Sequence, residues 1–313
     1  MIALVTGAAG FIGTHLCAFL AEKGLEVIGT TSSPRNLGHF NGVEGVEMRE
    51  CSVLDREKFS ALTRDSEPDV VYHLAAQSLI PKSWEDPWLT FDTNVQGTIT
   101  LFEALKDRKD VKVVVASSSA AYGDAEVPFT EDQVLKPVSP YGVSKAAQDL
   151  LSYQYWRNYG VHAVNARIFN TTGPGKDGDV HSSFAKKVIE IEAGKEKRGS
   201  VRVGNLKIKR EVNHVKDLCS SLALLAEKGN PGESYNCCSG KPYSLKEILA
   251  TYTENSSAEI EAVEDESLRR ASDELVVAGD NSKLKALGWK QEHSLDDTVK
   301  DVLGYWRGRL SKK

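Results

Sequence analysis

A tyrosine and a lysine stand four residues apart in the segment Tyr141-Gly142-Val143-Ser144-Lys145. On a helix, residues four apart lie on one face, so the Lys145 ammonium would lie beside the Tyr141 phenol. A nearby positive charge stabilises a phenolate, and we expect it to lower a pKa that is normally about 10. Such a pair can transfer a proton to or from a substrate. The pair alone is weak evidence of function, because chance pairs are common on helix surfaces.

Three consecutive serines, Ser117-Ser118-Ser119, end an apolar run that begins at Val111. The run is typical of a buried strand, and the helix that carries the tyrosine and the lysine is predicted to follow it, with Ser139 as N-cap and Pro140 at its first position. Ligands of doubly wound sheets bind beyond the carboxyl ends of the strands, where these hydroxyls would lie. Serines there can also cap a helix or complete a turn, but the agreement of position favours a catalytic role.

A glycine-rich turn near the start of the chain predicts a nucleotide-binding site. The segment Thr6-Gly7-Ala8-Ala9-Gly10-Phe11-Ile12-Gly13 separates a strand-like run from a helical pattern that ends near Gly24. Gly7 permits a tight turn, Gly10 lets the backbone approach a pyrophosphate, and Gly13 allows close packing of helix on strand. The free amides at the helix start would then face the phosphates. The spacing is GxxGxxG and not the commoner GxGxxG, and three glycines can also mark a purely structural turn.

The elements that must position these residues alternate between strands and helices. The strand-like runs are 1–5, 26–30, 46–49, 70–74, 111–116 and 161–169, and later helical patterns between them are 55–63, 90–105 and 140–159. This alternation predicts an α/β fold with a doubly wound parallel sheet.

The pattern changes after Asn170. Residues 171–179 form a turn-rich loop, and helices are predicted at 183–193 and at 245–252, where Ser244 and Glu247 form a capping box. The acidic stretch 259–266 is interpreted as solvated surface. The second half is therefore predicted to be a smaller attached α/β domain.

Composition and charge exclude several classes of protein. The 313 residues carry a formal net charge of −5 without a basic stripe, which argues against a nucleic-acid partner. We find neither a membrane-spanning pattern nor a signal peptide, and we predict a cytosolic protein. The five cysteines lack metal-ligand spacing, so we expect no metal site and predict that they are buried reduced thiols. They are Cys17, Cys51, Cys219, Cys237 and Cys238.

Five segments of the first half resemble the extended short-chain dehydrogenases/reductases that modify nucleotide sugars, the NAD-dependent epimerase/dehydratase family. They are residues 6–13, 73–78, 93–98, 117–123 and 139–145. In that family the serine or threonine four residues before a Tyr-Gly pair is catalytic, and the pair Tyr122-Gly123 points to Ser118. The resemblance implies that Ser118 hydrogen-bonds the sugar oxygen, that Tyr141 transfers the proton, and that Lys145 orients the ribose and tunes Tyr141. Hydride would pass between a nicotinamide and a sugar carbon.

The second half is similar to two groups of GDP-sugar enzymes, the GDP-4-keto-6-deoxymannose reductases and the GDP-mannose 4,6-dehydratases. The similar segments are 169–175, 189–195, 201–206, 235–240 and 270–273. The resemblance implies a Rossmann domain of residues 1–168 plus about 212–236, and a nucleotide-sugar-binding domain of residues 169–211 and 237–313.

The resemblance also implies the residues of both binding sites. For the coenzyme they are Gly7, Ala9, Gly10, Phe11, Ile12, Gly13, Thr31, Ser32, Arg35, Ser52, Val53, Leu74, Ala75, Ala76, Asn94, Tyr141, Lys145 and Ile168. For the nucleotide sugar they are Ser78, Ser118, Ser119, Asn170, Lys186, Asn205, Arg210 and Arg270. The fork of an arginine suits bidentate phosphate contact, whereas Lys186 can equally be a surface charge.

Three positions depart from the family pattern. The second strand ends in Thr30-Thr31-Ser32-Ser33-Pro34-Arg35, without a carboxylate for the ribose 2′-OH of NAD, so NADP(H) is favoured and NAD(H) stays an alternative. Ser52 stands where an aspartate near the adenine is common. Ala120 and Ala121 stand where dehydratases carry acidic residues.

These departures favour one reaction over its alternatives. Elimination of water needs an acid and a base beyond the tyrosine, whereas carbonyl reduction does not. We therefore expect an NADP(H)-dependent reductase of the C-4 keto group of a GDP-linked 4-keto-6-deoxy sugar. The alternatives are a 4,6-dehydratase or 4-epimerase that retains NAD(P), and a catalytically silent nucleotide-binding protein of the same fold.

The resemblance also implies a homodimer that packs through the helices 90–105 and 140–159. The apolar candidates for that contact are Leu101, Phe102, Leu105, Leu150, Leu151, Tyr153 and Trp156. These side chains can instead pack on the sheet of their own subunit.

Overall fold

A computed structural model describes residues 1–36, 44–194, 196, 198–268 and 275–310 of the chain. Its strands are β1 (Ile2–Thr6), β2 (Glu26–Thr31), β3 (Val46–Glu50), β4 (Val70–His73), β5 (Lys112–Ser118), β6 (His162–Ile168), β7 (Thr171–Thr172), β8 (Arg198–Val203), β9 (Lys209–Glu211), β10 (Asn213–His214), β11 (Ser234–Cys237), β12 (Pro242–Ser244), β13 (Glu259–Glu264) and β14 (Val276–Val277). Its helices are α1 (Phe11–Glu22), α2 (Arg56–Ser66), α3 (Ile80–Glu85), α4 (Pro87–Phe91), α5 (Gly97–Leu105), α6 (Pro140–Tyr159), α7 (Val180–Ala193), α8 (Val215–Lys228), α9 (Leu245–Glu254), α10 (Ser282–Ala286) and α11 (Leu295–Leu310).

The chain divides into two compact units. The first contains Met1–Phe169, Leu218–Cys237 and Asp280–Trp289, and the second contains Asn170–Asp217, Cys238–Gly279 and Lys290–Lys313. The segment Asp280–Trp289 thus lies in the first unit, whereas the sequence-based division assigned it to the second.

In the part of the chain that the structure describes, seven strands of the first unit form one parallel sheet in the order β3-β2-β1-β4-β5-β6-β11. The strand order runs outwards in opposite directions from β1 and β4, which makes the point between them the topological switch of the sheet. This confirms the predicted doubly wound α/β fold. It also places the carboxyl ends of β1, β2, β4, β5 and β6 along one edge, where the candidate residues follow.

Apolar side chains of the strands and helices form the core of the first unit. Leu4, Val71 and Val113 of the sheet are completely or almost completely buried, and the rings of Phe102 and Tyr155 stack with centroids 4.8 Å apart. Three of the proposed dimer candidates belong to this core and not to a surface, namely Leu101, Phe102 and Leu105. In contrast, Leu150 and Tyr153 of α6 are exposed.

The second unit has a core of its own. Helices α7, α9 and α11 supply Phe184, Ile248, Tyr252, Val302 and Trp306 to one buried cluster. The predicted capping box of α9 is present, because Ser244 accepts a hydrogen bond from the backbone of Glu247 and the Glu247 carboxylate accepts from Ser244.

Two predicted elements differ from the structure. The pattern at 90–105 predicted one helix, but a π-helical turn at Asp92–Gln96 separates α4 from α5. The acidic stretch is exposed as predicted, yet it forms strand β13, which pairs in parallel with β8. All five cysteines are buried, as predicted. Within the described ranges, none of the helices has the length and apolarity needed to cross a membrane.

Candidate active site

The glycine turn after β1 forms a cradle of backbone atoms. Gly7 has a φ of +70°, and a Cβ there would lie 2.9 Å from Ala75 Cα. A Cβ at Gly13 would overlap the Gly7 carbonyl oxygen and lie 2.7 Å from Ala8 Cα. Helix α1 then begins at Phe11 without a side-chain cap and without an acidic residue in its first turn. The backbone amides at this helix start and the space kept by the glycines fit the pyrophosphate of a dinucleotide.

The predicted residues after β2 and β3 lie at the same edge of the sheet. The Thr31 hydroxyl accepts a hydrogen bond from Ser33 N at 3.2 Å, while Ser32 and Arg35 are exposed. After β3, the Ser52 hydroxyl accepts from Leu54 N at 3.2 Å and Val53 is buried.

The segment after β4 is bonded directly to the glycine turn. Leu74 N donates to the Thr6 carbonyl oxygen at 3.2 Å, and Ala75 N donates to Thr6 Oγ1 at 3.1 Å. The intermediate exposure of Leu74, Ala75 and Ala76 leaves part of each accessible, and Ser78 is exposed. These contacts set the spacing between the β1 and β4 ends of the sheet.

Asn94 lies in the π-helical turn, and its side chain already has protein partners. Its Oδ1 accepts from Gln77 N at 2.8 Å, and its Nδ2 donates to the Gln77 carbonyl at 3.1 Å and to Ser144 Oγ at 2.9 Å. The side chain therefore ties the segment after β4 to helix α6. Its predicted part in coenzyme binding stays a prediction.

The structure brings Ser118, Tyr141 and Lys145 together. Ser118 is the last residue of β5 and pairs with Ile168 of β6, and its hydroxyl hydrogen-bonds the Tyr141 phenol. Tyr141 and Lys145 occupy the first two turns of α6, with Lys145 Nζ 5.7 Å from the centroid of the tyrosine ring. Ser139 caps this helix as predicted by accepting a bond from the N–H of its third residue at 3.0 Å. Ser119 begins the turn after β5 and is partly exposed.

The expected lowering of the Tyr141 pKa is wrong for the chain by itself. Burial raises the pKa of Tyr141, and the hydrogen bond with Ser118 opposes that shift only in part. Burial also lowers the pKa of Lys145 to about 7, against the pull of the Asp149 carboxylate. The Lys145 ammonium donates to the Ala116 carbonyl at 2.8 Å and to Gln148 Oε1 at 2.7 Å, so protein acceptors and not the phenol take these bonds.

In the second unit, the Lys186 side chain interacts with other side chains of that unit. Its ammonium forms an ion pair with Asp177 and lies 4.2 Å from the centroid of the Trp306 ring. This arrangement favours the surface-charge interpretation that the sequence left open for Lys186. Arg270 lies outside the described residues.

The other predicted residues of the second unit take part in local backbone bonds. Asn170 Nδ2 donates to the Glu211 carbonyl at 3.0 Å, and Asn205 Oδ1 accepts from a backbone N–H two residues on at 3.0 Å. Arg210 NH1 donates to the Lys209 carbonyl at 2.9 Å. Arg210 is half-buried.

A buried ion pair near the site was not predicted from the sequence. Arg167 Nε lies 2.6 Å from Asp149 Oδ2, and Arg167 NH1 donates to the Tyr122 hydroxyl at 2.9 Å. The Tyr122 hydroxyl in turn donates to Asn236 Oδ1 at 2.6 Å. These bonds join β6, α6, the turn after β5 and β11. The sequence feature that could have indicated this ion pair is the position of Asp149, one helical turn after Lys145.

Comparison with known proteins agrees with this geometry. A family model described as GDP-mannose 4,6 dehydratase matches residues 4–302, which is almost the whole chain. The chain belongs to the GDP-mannose 4,6-dehydratase family. This family consists of extended short-chain dehydrogenases/reductases that modify nucleotide sugars, which confirms the resemblance carried by the sequence motifs.

Members of this enzyme class are similar to the chain over its full length. GDP-6-deoxy-D-mannose reductase from Pseudomonas aeruginosa is 30% identical, with 99% of this chain and 98% of the relative aligned. The structure of RMD from Pseudomonas aeruginosa complexed with NADPH has a TM-score of 0.83 at 30% identity, covering 98% of this chain and 99% of that one. UDP-glucose 4-epimerase from Thermotoga maritima, solved with UDP-glucose, has a TM-score of 0.87 at 27% identity, covering 99% of this chain and 100% of that one.

Proposed function

We propose that this member of the GDP-mannose 4,6-dehydratase family is an NADP(H)-dependent reductase of the C-4 keto group of a GDP-linked 4-keto-6-deoxy sugar. The observation that carries the proposal is the set Ser118, Tyr141 and Lys145, together with the absence of acidic side chains at Ala120 and Ala121. The 30% identity with a GDP-6-deoxy-D-mannose reductase supports the same substrate class.

The residues of the first unit would hold the coenzyme in two places. The glycine turn and the start of α1 would bind the pyrophosphate through backbone amides. The first turn of α1 contains no acidic side chain that would compete with a phosphate for these amides. The exposed Ser32 and Arg35 would take the 2′-phosphate of NADP(H), since no carboxylate at the end of β2 repels it. The relative solved with NADPH supports this preference.

When bound, the reduced nicotinamide supplies a hydride to the C-4 carbonyl carbon of the sugar. The Ser118 hydroxyl would donate a hydrogen bond to the carbonyl oxygen and stabilise the negative charge that develops there. Tyr141 would transfer its phenolic proton to that oxygen, so that the ketone becomes a hydroxyl and the tyrosine a phenolate. The Lys145 ammonium would stabilise this phenolate until solvent returns the proton. The raised pKa of Tyr141 suits this direction, because a protonated phenol is the form that donates.

The turn after β5 favours reduction over dehydration. Loss of water across C-5 and C-6 requires a base to remove the C-5 proton and an acid to protonate the leaving oxygen. Ala120 and Ala121 offer only methyl groups in the turn that follows Ser118, and Ala121 is fully buried. Reduction needs only the hydride that the coenzyme would supply and the proton that Tyr141 would supply.

We also propose that a second copy of the chain covers the exposed apolar side chains of α4 and α6, giving a homodimer. Trp88 of α4 is 80% exposed, and Val143, Leu150 and Tyr153 of α6 are exposed as well. Such a patch is costly in water and is typical of a protein–protein contact.

The reaction is tested by mixing the enzyme with NADPH and freshly made GDP-4-keto-6-deoxymannose. We expect the absorbance of the reduced nicotinamide to fall, and Tyr141→Phe to abolish the change. No consumption of NADPH with this or any other 4-keto nucleotide sugar would refute the reductase. Turnover of a nucleotide sugar without added coenzyme, by protein purified with NAD(P) bound, would indicate the epimerase or dehydratase alternative.

A further inference from the structure

A buried side chain that the reaction scheme does not use contacts Lys145 directly. Gln148 lies on α6 three residues after Lys145 and is completely buried, while Lys145 itself is 3% exposed. Gln148 Oε1 accepts a hydrogen bond from Lys145 Nζ at 2.7 Å, and Gln148 Nε2 donates to Thr98 Oγ1 at 2.6 Å. The amide therefore links the lysine of α6 to helix α5.

The orientation of the Gln148 amide follows from the bonds of Thr98. The Thr98 hydroxyl has one proton, and it donates that proton to the Asn94 carbonyl at 2.6 Å. Its oxygen can then only accept, which it does from Gln148 Nε2 and from His73 Nε2 at 3.1 Å. If the amide turned over, its oxygen would face the accepting oxygen of Thr98, and its NH2 group would face the ammonium of Lys145. The Gln148 oxygen is therefore fixed towards Lys145.

The same chain of bonds continues to the glycine turn. His73 carries its proton on Nε2, so its Nδ1 accepts from the Thr6 hydroxyl at 2.9 Å, and Thr6 Oγ1 accepts from Ala75 N at 3.1 Å. Burial and the nearby Lys145 charge lower the pKa of His73 to about 3. His73 is therefore neutral at physiological pH and acts as a fixed hydrogen-bonding spacer.

Lys145 faces few other charges. On its own helix are Tyr141 and Asp149, and the Asp149 carboxylate is engaged by Arg167 of β6 at 2.6 Å. On β4 the facing titratable group is the neutral His73. The Gln148 oxygen is thus one of two identified acceptors for the lysine, with the Ala116 carbonyl of β5 as the other.

The remaining elements packed on α6 carry charges that are occupied elsewhere or exposed. Glu103 of α5 accepts from the Tyr155 hydroxyl at 2.7 Å, and Lys82 and Glu85 of α3 pair with each other at the surface. Asp92 of the π-helical turn is exposed. A change at Gln148 is therefore expected to act on Lys145 without disturbing one of these charges.

We propose that Gln148 is a positioning residue that holds Lys145 as an ammonium near the tyrosine ring, and so sets the upper pH limit of the reaction. This inference rests on the proposed reductase. A neutral acceptor favours the ammonium over the amine without neutralising its charge, whereas a carboxylate at the same place would form an ion pair. Burial disfavours the charged form of Lys145, and the hydrogen bond to the Gln148 amide favours it. The amide thereby keeps the lysine as the ammonium that the reaction needs.

Two variants of nearly unchanged shape test the proposal. Gln148→Met keeps the volume but removes the acceptor, and we expect the alkaline limb of the kcat profile to move down by about one pH unit. Gln148→Glu supplies a charged acceptor for Lys145, while the Thr98 hydroxyl can turn its proton from the Asn94 carbonyl to the second carboxylate oxygen. We expect the same limb to move up by a similar amount. The KM for the sugar should change less than about twofold in both variants, because Gln148 does not touch the substrate.

Ser152→Ala is the matched control, because Ser152 is buried one turn further along α6 and its hydroxyl donates to the Gln148 backbone carbonyl at 2.9 Å. Its alkaline limb should coincide with that of the wild-type protein. Shifts of the alkaline limb in the same direction for both Gln148 variants, or no shift for either, would overturn the proposal. A purely structural role would not produce opposite shifts for an uncharged and a negatively charged side chain.

A second readout does not depend on turnover. The titration of Lys145 is followed in the resting protein by carbon-13 NMR of labelled lysine side chains, with the signal assigned by its loss in Lys145→Arg. We expect the Lys145 pKa to fall in Gln148→Met and to rise in Gln148→Glu. If no sugar is reduced but these shifts occur, the proposed reaction fails and the role of Gln148 stands. If turnover is present and the shifts are absent, the role of Gln148 is refuted alone.

Discussion

Replacement of Gly13 by alanine tests whether the backbone cradle of the first unit is as tightly built as the structure indicates. A Cβ at this position would overlap the Gly7 carbonyl oxygen and lie 2.7 Å from both Ala8 Cα and Ala8 O. All three neighbours are backbone atoms, so no side chain can rotate to make room. Helix α1 must therefore move away from the turn that precedes it.

The size of the effect follows from the cost of overpacking. Insertion of a methyl group into a closely packed site typically costs about 1–3 kcal/mol, and we expect Gly13→Ala to lower the free energy of unfolding by this amount. The displaced amides should also lose a charge-assisted hydrogen bond to the coenzyme, worth about 1.5–3 kcal/mol, which is roughly a ten- to hundredfold weaker affinity for NADPH. Urea unfolding and the quenching of intrinsic fluorescence by NADPH measure the two effects.

Gly304→Ala is the matched control for this substitution. Gly304 is an exposed residue inside helix α11, and a Cβ there would meet no atom within 4 Å. The same chemical change should therefore stabilise the protein by about 0.5–1 kcal/mol, because alanine has the higher helix propensity. If Gly13→Ala were as stable as the wild-type protein and bound NADPH equally well, the packing argument for the cradle would be refuted.

Three further changes have expected outcomes. Arg35→Ala should weaken NADPH binding by roughly ten- to a hundredfold and leave NADH nearly unchanged in fluorescence titrations, and an equal loss for both coenzymes would exclude contact with the 2′-phosphate. Leu150→Asp, at a side chain that is 66% exposed, should convert a dimer to a monomer in light scattering without loss of fold, whereas a monomeric wild-type protein would contradict the dimer. The folded-state pKa of His73 is about 3, below the ordinary value of 6.5, so its neutral form stabilises the fold above pH 6.5 and this contribution is lost as the pH falls towards 3. Between pH 7 and pH 5 the free energy of unfolding in urea should therefore fall less for His73→Gln than for the wild-type protein. Identical falls would show that His73 does not contribute to the loss of stability in acid.

Local signals in the sequence were sufficient for the elements that carry the site. The Ser139-Pro140 start defined α6, and the helix ends where Gly160 adopts a left-handed conformation with a φ of +73°. Strand-like runs identified six strands of the parallel sheet, and those inside the sheet are mostly apolar because both faces of such strands are buried. Strand order then brought the ends of β5 and β6 together, as the pairing of Ser118 with Ile168 shows.

Interactions between distant segments could not be predicted in this way. The apolar pattern at 90–105 is compatible with one continuous helix, and the π-helical turn arises where Asn94 bonds Gln77 and Ser144, which are 17 and 50 residues away. The pairing of the acidic strand β13 with β8 uses backbone bonds, which the charges of its side chains do not encode. Gln148 was missed for the same reason, because its role depends on Thr98 and Lys145 at once.

The pKa of Tyr141 shows why residue spacing alone could not give the chemistry. The four-residue spacing correctly predicted that Lys145 lies near the tyrosine ring, with Nζ 5.7 Å from its centroid. A pKa, however, depends on the balance of burial, charge and hydrogen bonds, and the sequence contains no measure of how deeply the phenol is buried. In the structure burial outweighs the hydrogen bond from Ser118 and raises the pKa. The phenol is therefore held protonated. Carbonyl reduction uses the protonated phenol as its proton donor, whereas abstraction of a proton from a sugar hydroxyl would require the phenolate.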